Sequence, residues 1–153
     1  MQIHIIAVGR PSEGPLRELL QDYERRIARH AQIVWNILTA SREQAELQIR
    51  SEESARISAQ LKPNDTVVLL DERGAEYTNE QLVSQLDRWQ GSQGRLVIII
   101  GGAFGVDESL RHRAQAVWSL SKLVFPYEIV RLVLVEQLYR TYMIKAGHPY
   151  HHK

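Results

Sequence analysis

One stretch near the middle of the chain constrains the fold more than any other, residues 95–105, RLVIIIGGAFG. Leu96 to Ile100 are unbroken apolar and mostly β-branched, and Gly101, Gly102 and Gly105 follow at once. A short β-branched run bounded by glycine reads as a strand buried on both faces, the kind found in parallel sheets. Glycines just past its end mark a tight turn where something approaches the backbone closely. Asp107 stands at an N-cap position ahead of Glu108 and Ser109, which opens a helix. Strand, glycine turn and helix together build a crevice at the carboxyl end of a parallel sheet. The spacing GGxxG, with no Lys behind it, matches neither the dinucleotide fingerprint nor the phosphate loop. Two readings stay open: a nucleotide-like small molecule held partly by backbone groups, or a tight turn serving helix–sheet packing alone.

Around this stretch, strands and helices alternate. Gln2–Val8 is a first strand ending at Gly9, and Pro11, Ser12 and Pro15 lead into a helix with Leu16, Leu19, Leu20, Tyr23 and Ile27 on one face. Residues 31–38 read as a strand, residues 41–61 as a long polar surface helix, and residues 65–71, DTVVLLD, as a buried strand before a turn at Arg73 and Gly74. Thr78, with Gln81 three residues on, forms a capping box for a helix that stops at Gly91. The pattern predicts an α/β fold, a mostly parallel sheet flanked by helices. Residues 114–125 are less regular and read as a strand, a loop and a second short strand. Residues 128–146 form a helix apolar on nearly every side, which needs cover all round. A second copy of the chain supplies that cover in a homodimer.

Composition narrows the function classes. The length of 153 residues fits one domain, 1–153, and no run of apolar residues is long enough to span a membrane. The N-terminus lacks the basic start and apolar length of a signal peptide, and with no cysteine there is no disulfide framework, thiolate nucleophile or Cys-based metal site. A cytoplasmic protein is expected. The net charge of +1 hides an asymmetry: residues 111–153 hold seven Lys or Arg against two acids, +5, whereas residues 1–110 hold twelve against sixteen, −4. A basic C-terminal face suits an anionic partner, with nucleic acid foremost.

Several residues invite chemistry. Glu136 and Arg140, spaced i, i+4, form an ion pair on one helix face. Ser119 and Ser121 lack the surroundings of a nucleophile. His148, His151 and His152 invite a metal, but no Cys or placed carboxylate completes a shell, and no metal site is expected. Histidine and tyrosine in this tail suit base stacking, phosphate contact or proton transfer instead. Trp118 reads as core.

The segments LLD at 69–71, IIIGG at 98–102, WSLSKLVFP at 118–126, VRLVLVEQLYRTYMI at 130–144 and HPYH at 148–151 resemble, across the whole chain, the RlmH family of SPOUT-class large-subunit rRNA methyltransferases. The resemblance implies methyl transfer from S-adenosyl-L-methionine to N3 of a pseudouridine in 23S rRNA on the assembled 70S ribosome. It implies a SPOUT α/β-knot, a C-terminal trefoil knot lying in residues 101–125, and a homodimer with the site at the interface. Carried over by position, it assigns the cofactor to Leu70, Gly101, Leu120, Ser121, Lys122, Leu123, Val124 and Phe125. It assigns RNA contact to His148, Tyr150 and Lys153. For catalysis the expectation is that His151 assists loss of the N3 proton and Arg140, supported by Glu136, stabilises the anionic base. The family departs from this chain at Tyr127, where relatives commonly have histidine, and at His152, where others often have Arg or Lys. A SPOUT methyltransferase acting on tRNA, and a knot protein that binds RNA without chemistry, are the alternatives.

Overall fold

The computed structural model describes residues 1–152. Ten elements follow in order: β1 (Gln2–Val8), α1 (Gly14–Ile27), β2 (Gln32–Leu38), α2 (Glu46–Ser58), β3 (Thr66–Ala75), α3 (Asn79–Gln90), β4 (Leu96–Ile100), α4 (Glu108–Arg113), β5 (Ala116–Trp118) and α5 (Tyr127–Lys145). The strands form one parallel sheet in the order β2-β1-β4-β3-β5. β4 sits at its centre, buried at all five residues, as a continuous apolar strand must be.

Strand periodicity divides the core into two layers. Ile3, Ile5, Ala7, Val68, Leu96, Ile98 and Ile100 face α1, α3 and α5, where they meet Leu20, Leu86, Trp89, Leu134 and Leu138. Ile6, Val8, Val67, Leu69, Val97 and Ile99 face the other way, onto Ile57 of α2 and Val106 and Leu110 beside α4. Each fully buried Ile or Leu contributes about 1.5–3 kcal/mol, so both layers weigh heavily in stability. α5 packs against α1 and α3, and Trp118 lies in the core against Trp89, ring centres 5.8 Å apart.

Local signals hold where side-chain chemistry specifies them. The Thr78 hydroxyl accepts from Gln81 N at 3.2 Å and the Gln81 side chain accepts from Thr78 N at 2.9 Å, the reciprocal capping box. Asp107 caps α4 through Leu110 N at 2.9 Å. Three boundaries differ from expectation. α2 is shorter than residues 41–61, because Ser41 is drawn out of the helix by bonds to Glu52 and Glu53. β3 continues through Arg73 and Gly74 to Ala75, since this segment pairs with β5 after a register shift and Trp118 is matched by both Leu70 and Ala75. Residues 114–125 hold one strand, β5, and no second one; the loop after it is folded by its serines instead.

At the amino ends of the strands, Asp65 receives a two-pronged Arg95 guanidinium, at 2.9 and 2.6 Å, and Lys62 N at 2.7 Å. Burial pushes the Asp65 carboxyl up, but these bonds together hold it below the usual carboxylate range. A carboxylate held low stabilises the fold at neutral pH, and that contribution is lost as pH falls from about 3.9, the unfolded value, through the lower folded value. Asp65→Asn is expected to cost about 2 kcal/mol at pH 7 in urea unfolding and to flatten the stability profile below pH 4.

Candidate cofactor crevice and nucleic-acid interface

The strand order reverses between β1 and β4. The chain leaves β1 toward α1 on one face of the sheet and leaves β4 toward α4 on the other, which opens a crevice at their carboxyl ends. Gly9, at φ +135°, follows β1, and Gly101 follows β4. Leu70, Ile100 and Trp118 share one rung across β3, β4 and β5; Gly101 stands one step farther out, just past β4, while residues 71–74 of β3 bulge before Ala75 rejoins Trp118.

The glycine turn is packed from beneath by α2. A Cβ on Gly102 would lie 2.2 Å from Oε2 of Glu53, a carboxylate only 3% exposed, and one on Gly101 would lie 3.2 Å from Val106. Glycine at 101 is therefore explained by packing within the turn itself. Ser54 accepts from Asp107 N at 2.9 Å, and Arg50 donates to Phe104 O at 2.9 Å. Glu53 and Ser54 escape a reading of α2 as a polar surface helix. Their signal is positional, since Glu53 lies four residues from both Ile49 and Ile57 on one stripe.

The loop that follows β5 supplies the opposite wall. Ser119 N donates to Ala75 O at 2.8 Å, the Ser119 hydroxyl donates to Ser121 O at 2.9 Å, and Leu123 N donates to the Ser121 hydroxyl at 3.0 Å. Both serines are thus turn formers. Leu70 and Leu120 are half-buried against the core, Phe125 is half-buried, and Lys122 is exposed. Leu123 and Val124 stand 70% and 79% exposed, unusual for large apolar side chains. The peptide N–H groups of Lys122, Val124 and Phe125 donate to nothing among the described residues. Free backbone donors beside apolar walls are what a planar heterocycle such as adenine requires. Asp71, at the mouth, is pressed upward by burial but held below the usual carboxylate range by Arg73 and Arg111.

A second cluster joins α5 to the tail. Glu136 pairs with Arg140 and accepts from the Tyr150 hydroxyl at 3.1 Å; Arg140 stacks over the Tyr150 ring at 4.9 Å. Tyr150 also packs edge-on against Tyr139, centres 4.8 Å apart, and meets Tyr23 of α1 oxygen to oxygen at 3.4 Å. Burial, Tyr23 and Glu136 all raise the Tyr150 phenol, which keeps it neutral and a donor. Gly147, at φ +66°, ends α5, and His148 accepts from Tyr150 N at 3.2 Å. His151 turns toward α3 instead, with Nε2 3.9 Å from Glu80, and is not bonded to the Glu136–Arg140–Tyr150 group. Lys153 lies outside the described residues.

The basic C-terminal face is largely spent within the fold. Arg111 pairs with Asp71, Arg113 donates to the carbonyls of Lys62, Pro63 and Asp65, Lys145 pairs with Asp87, and Arg131 is buried. At the end of α1, Arg25, Arg26 and Arg29 with His30 border a hollow of about 760 Å³ that reaches Tyr139 and His148; Arg25 and Arg26 also pair with Asp22. Among the described residues no helix is long and apolar enough to cross a membrane.

A sequence model of the family described as "Predicted SPOUT methyltransferase" matches residues 1–151. The chain belongs to the SPOUT methyltransferase family. The Ribosomal RNA large subunit methyltransferase H of Mesorhizobium japonicum is 38% identical over 158 residues, and that of Gloeobacter violaceus 38% identical over 152, each alignment covering 99% of both chains. A solved SpoU methyltransferase, AviRb from Streptomyces viridochromogenes in complex with AdoMet, is a distant likeness at 12% identity and TM-score 0.45, over 92% of this chain and 57% of that one. In this SPOUT methyltransferase, Leu70 lies within β3 beside Ile100, Gly101 follows β4 and Leu120 follows β5; Glu136 and Arg140 of α5 meet Tyr150 of the tail, and His151 stands apart from them.

Proposed function

We propose that the chain transfers the methyl group of S-adenosylmethionine to N3 of a pseudouridine in 23S rRNA on the assembled 70S ribosome. The full-length likeness to large-subunit rRNA methyltransferases carries the reading, and the crevice fits it. Leu70, Leu120, Leu123, Val124 and Phe125 offer apolar walls, and the backbone of residues 121–125 with Gly101 offers polar groups without side chains in the way. S-adenosylmethionine bound there supplies an electrophilic methyl group.

The chain's own residues position the acceptor and handle one proton. N3 of the uracil ring bears a proton that must leave, and His151 takes it, Tyr150 being held neutral. Arg140, oriented by Glu136, faces the charge that develops on the ring oxygens. His148, Tyr150 and Lys153 meet the RNA, and the hollow bordered by Arg25, Arg26 and Arg29 receives flanking backbone phosphates. The chain acts as one SPOUT domain, knotted through residues 101–125, in the cytoplasm. It acts as a homodimer: Leu123, Val124, Tyr127 and Ile129 gather exposed apolar surface at the start of α5 that a second copy covers.

Labelled S-adenosylmethionine, incubated with 70S ribosomes from a strain lacking the activity and with bulk tRNA in parallel, tests this. Label is expected in 23S rRNA and absent when the target uridine is not isomerised. Label in tRNA alone, or in neither RNA, overturns the assignment.

A further inference from the structure

Among the described residues Arg131 is the largest fully buried side chain, 1% exposed, and it has no carboxylate partner there. Its Nη1 donates to Arg10 O at 2.6 Å and to the Ser12 hydroxyl at 3.2 Å, while the guanidinium lies against the Tyr127 ring at 4.7 Å. Nε and Nη2 are buried and have no partner. Burial lowers the Arg131 pKa, opposed by Tyr127 and by Glu128 three residues earlier, yet arginine stays charged in such sites.

A loop staple explains Nη1 alone. One N–H bond to Arg10 O would hold the β1–α1 turn, and an uncharged side chain would do so without the expense of a buried charge. The two idle donors are those of one side of the guanidinium, Nε–H and Nη2–H, which lie parallel and match the two oxygens of a carboxylate or a phosphate. The position agrees, for Arg131 reaches the turn after β1, beside the reversal of strand order where the crevice opens. Gly9 leaves this turn thin: a Cβ there would lie 3.2 Å from the Tyr127 ring and 3.4 Å from Nη2. Tyr127, 37% exposed, lies over the guanidinium, and no hydrogen bond among the described residues holds its hydroxyl.

We infer that Arg131 is an oxyanion-binding residue of the crevice, taking a carboxylate or phosphate on its Nε–Nη2 edge as Tyr127 moves off. The inference rests on the proposed reaction for its two sources of oxyanion, the amino-acid carboxylate of the cofactor and a phosphate of the RNA backbone.

Full-length wild type and Arg131→Gln are compared with four probes: inorganic phosphate by thermal shift, S-adenosylmethionine and 5′-methylthioadenosine by calorimetry, and a 23S stem-loop RNA across a salt series. Phosphate is expected to stabilise wild type and not the variant, a readout that stands even if no RNA is methylated. A tenfold or greater loss of S-adenosylmethionine affinity with 5′-methylthioadenosine unchanged identifies the cofactor carboxylate. Unchanged cofactor affinity, with weaker RNA binding and a salt slope smaller by about one, identifies a phosphate. Equal behaviour of both proteins toward all four probes overturns the inference. If the Gln variant does not fold, Arg131→Lys, which keeps the charge but not the paired edge, decides by the same measurements.

Discussion

Gly102→Ala is expected to destabilise the protein by about 3 kcal/mol, the upper range for forcing a methyl group into packed surroundings. The added carbon would lie 2.2 Å from Oε2 and 3.0 Å from Cδ of Glu53, well inside van der Waals contact. Glu53 cannot swing away cheaply, because Oε1 is held by Ser41 N at 3.1 Å and the side chain is buried. Either the carboxylate or the glycine turn must move, and the turn carries Gly101 to the crevice. Truncating the obstacle distinguishes this clash from a generic preference for glycine. In the Glu53→Ala background the same Gly102→Ala change is expected to cost under about 1 kcal/mol, a coupling of roughly 2 kcal/mol in urea unfolding. Additivity of the two substitutions would show that the carboxylate yields freely and that Gly102 is needed for another reason.

On the proposed role, Arg140→Ala is expected to lower kcat/KM for rRNA methylation at least a hundredfold, a size typical of removing one stabilising donor from a developing anion. Stability should change little, since exposed or half-exposed i, i+4 pairs contribute only about 0.3–0.5 kcal/mol. Arg140→Lys should recover little, because a lysine does not reproduce the planar stack on Tyr150 together with the bond to Glu136. The comparison separates chemistry from scaffolding: loss of the tail anchor alone would raise KM and leave kcat intact, and Tyr150→Phe, which removes the hydroxyl bonds to Glu136 and Tyr23, supplies that control. Activity within threefold of wild type would reduce the Glu136–Arg140 pair to an ordinary helix-surface contact.

What could be read from the sequence was whatever a local rule specifies. β4 and its glycine turn, the Thr78 capping box and the Asp107 cap are each decided within a few residues, and each stands where expected. The extension of β3 was illegible because Arg73 and Gly74 resemble a turn, and only the arrival of β5 more than forty residues later gives that backbone a partner. Charge misled for a similar reason. A count along residues 111–153 cannot register that Asp71 and Asp87 wait elsewhere in the chain for Arg111 and Lys145. Glu53 and Arg131, the two buried charges flanking the crevice, were hidden in opposite ways, one in a helix that looks wholly polar and the other in one that looks wholly apolar. Arg131 still left a trace, as the lone charge in the run IVRLVLV at residues 129–135, although a charge count along the chain places it with the basic C-terminal face.

The strand order also dictates a timetable for synthesis. β1 is made first, yet it lies between β2 and β4, and Ile3 pairs in register with Leu96. At roughly 5–20 residues per second, β1 waits about 5–20 s with one edge unpaired before its second neighbour emerges. α5, which closes the layer over α1 and α3, comes last, and Tyr150 later still. A nascent copy therefore has no finished core and no tail cluster until α5 and Tyr150 have been made. A chain cut short before α5 would present a bare apolar face over α1 and α3 to the cell's chaperones and proteases.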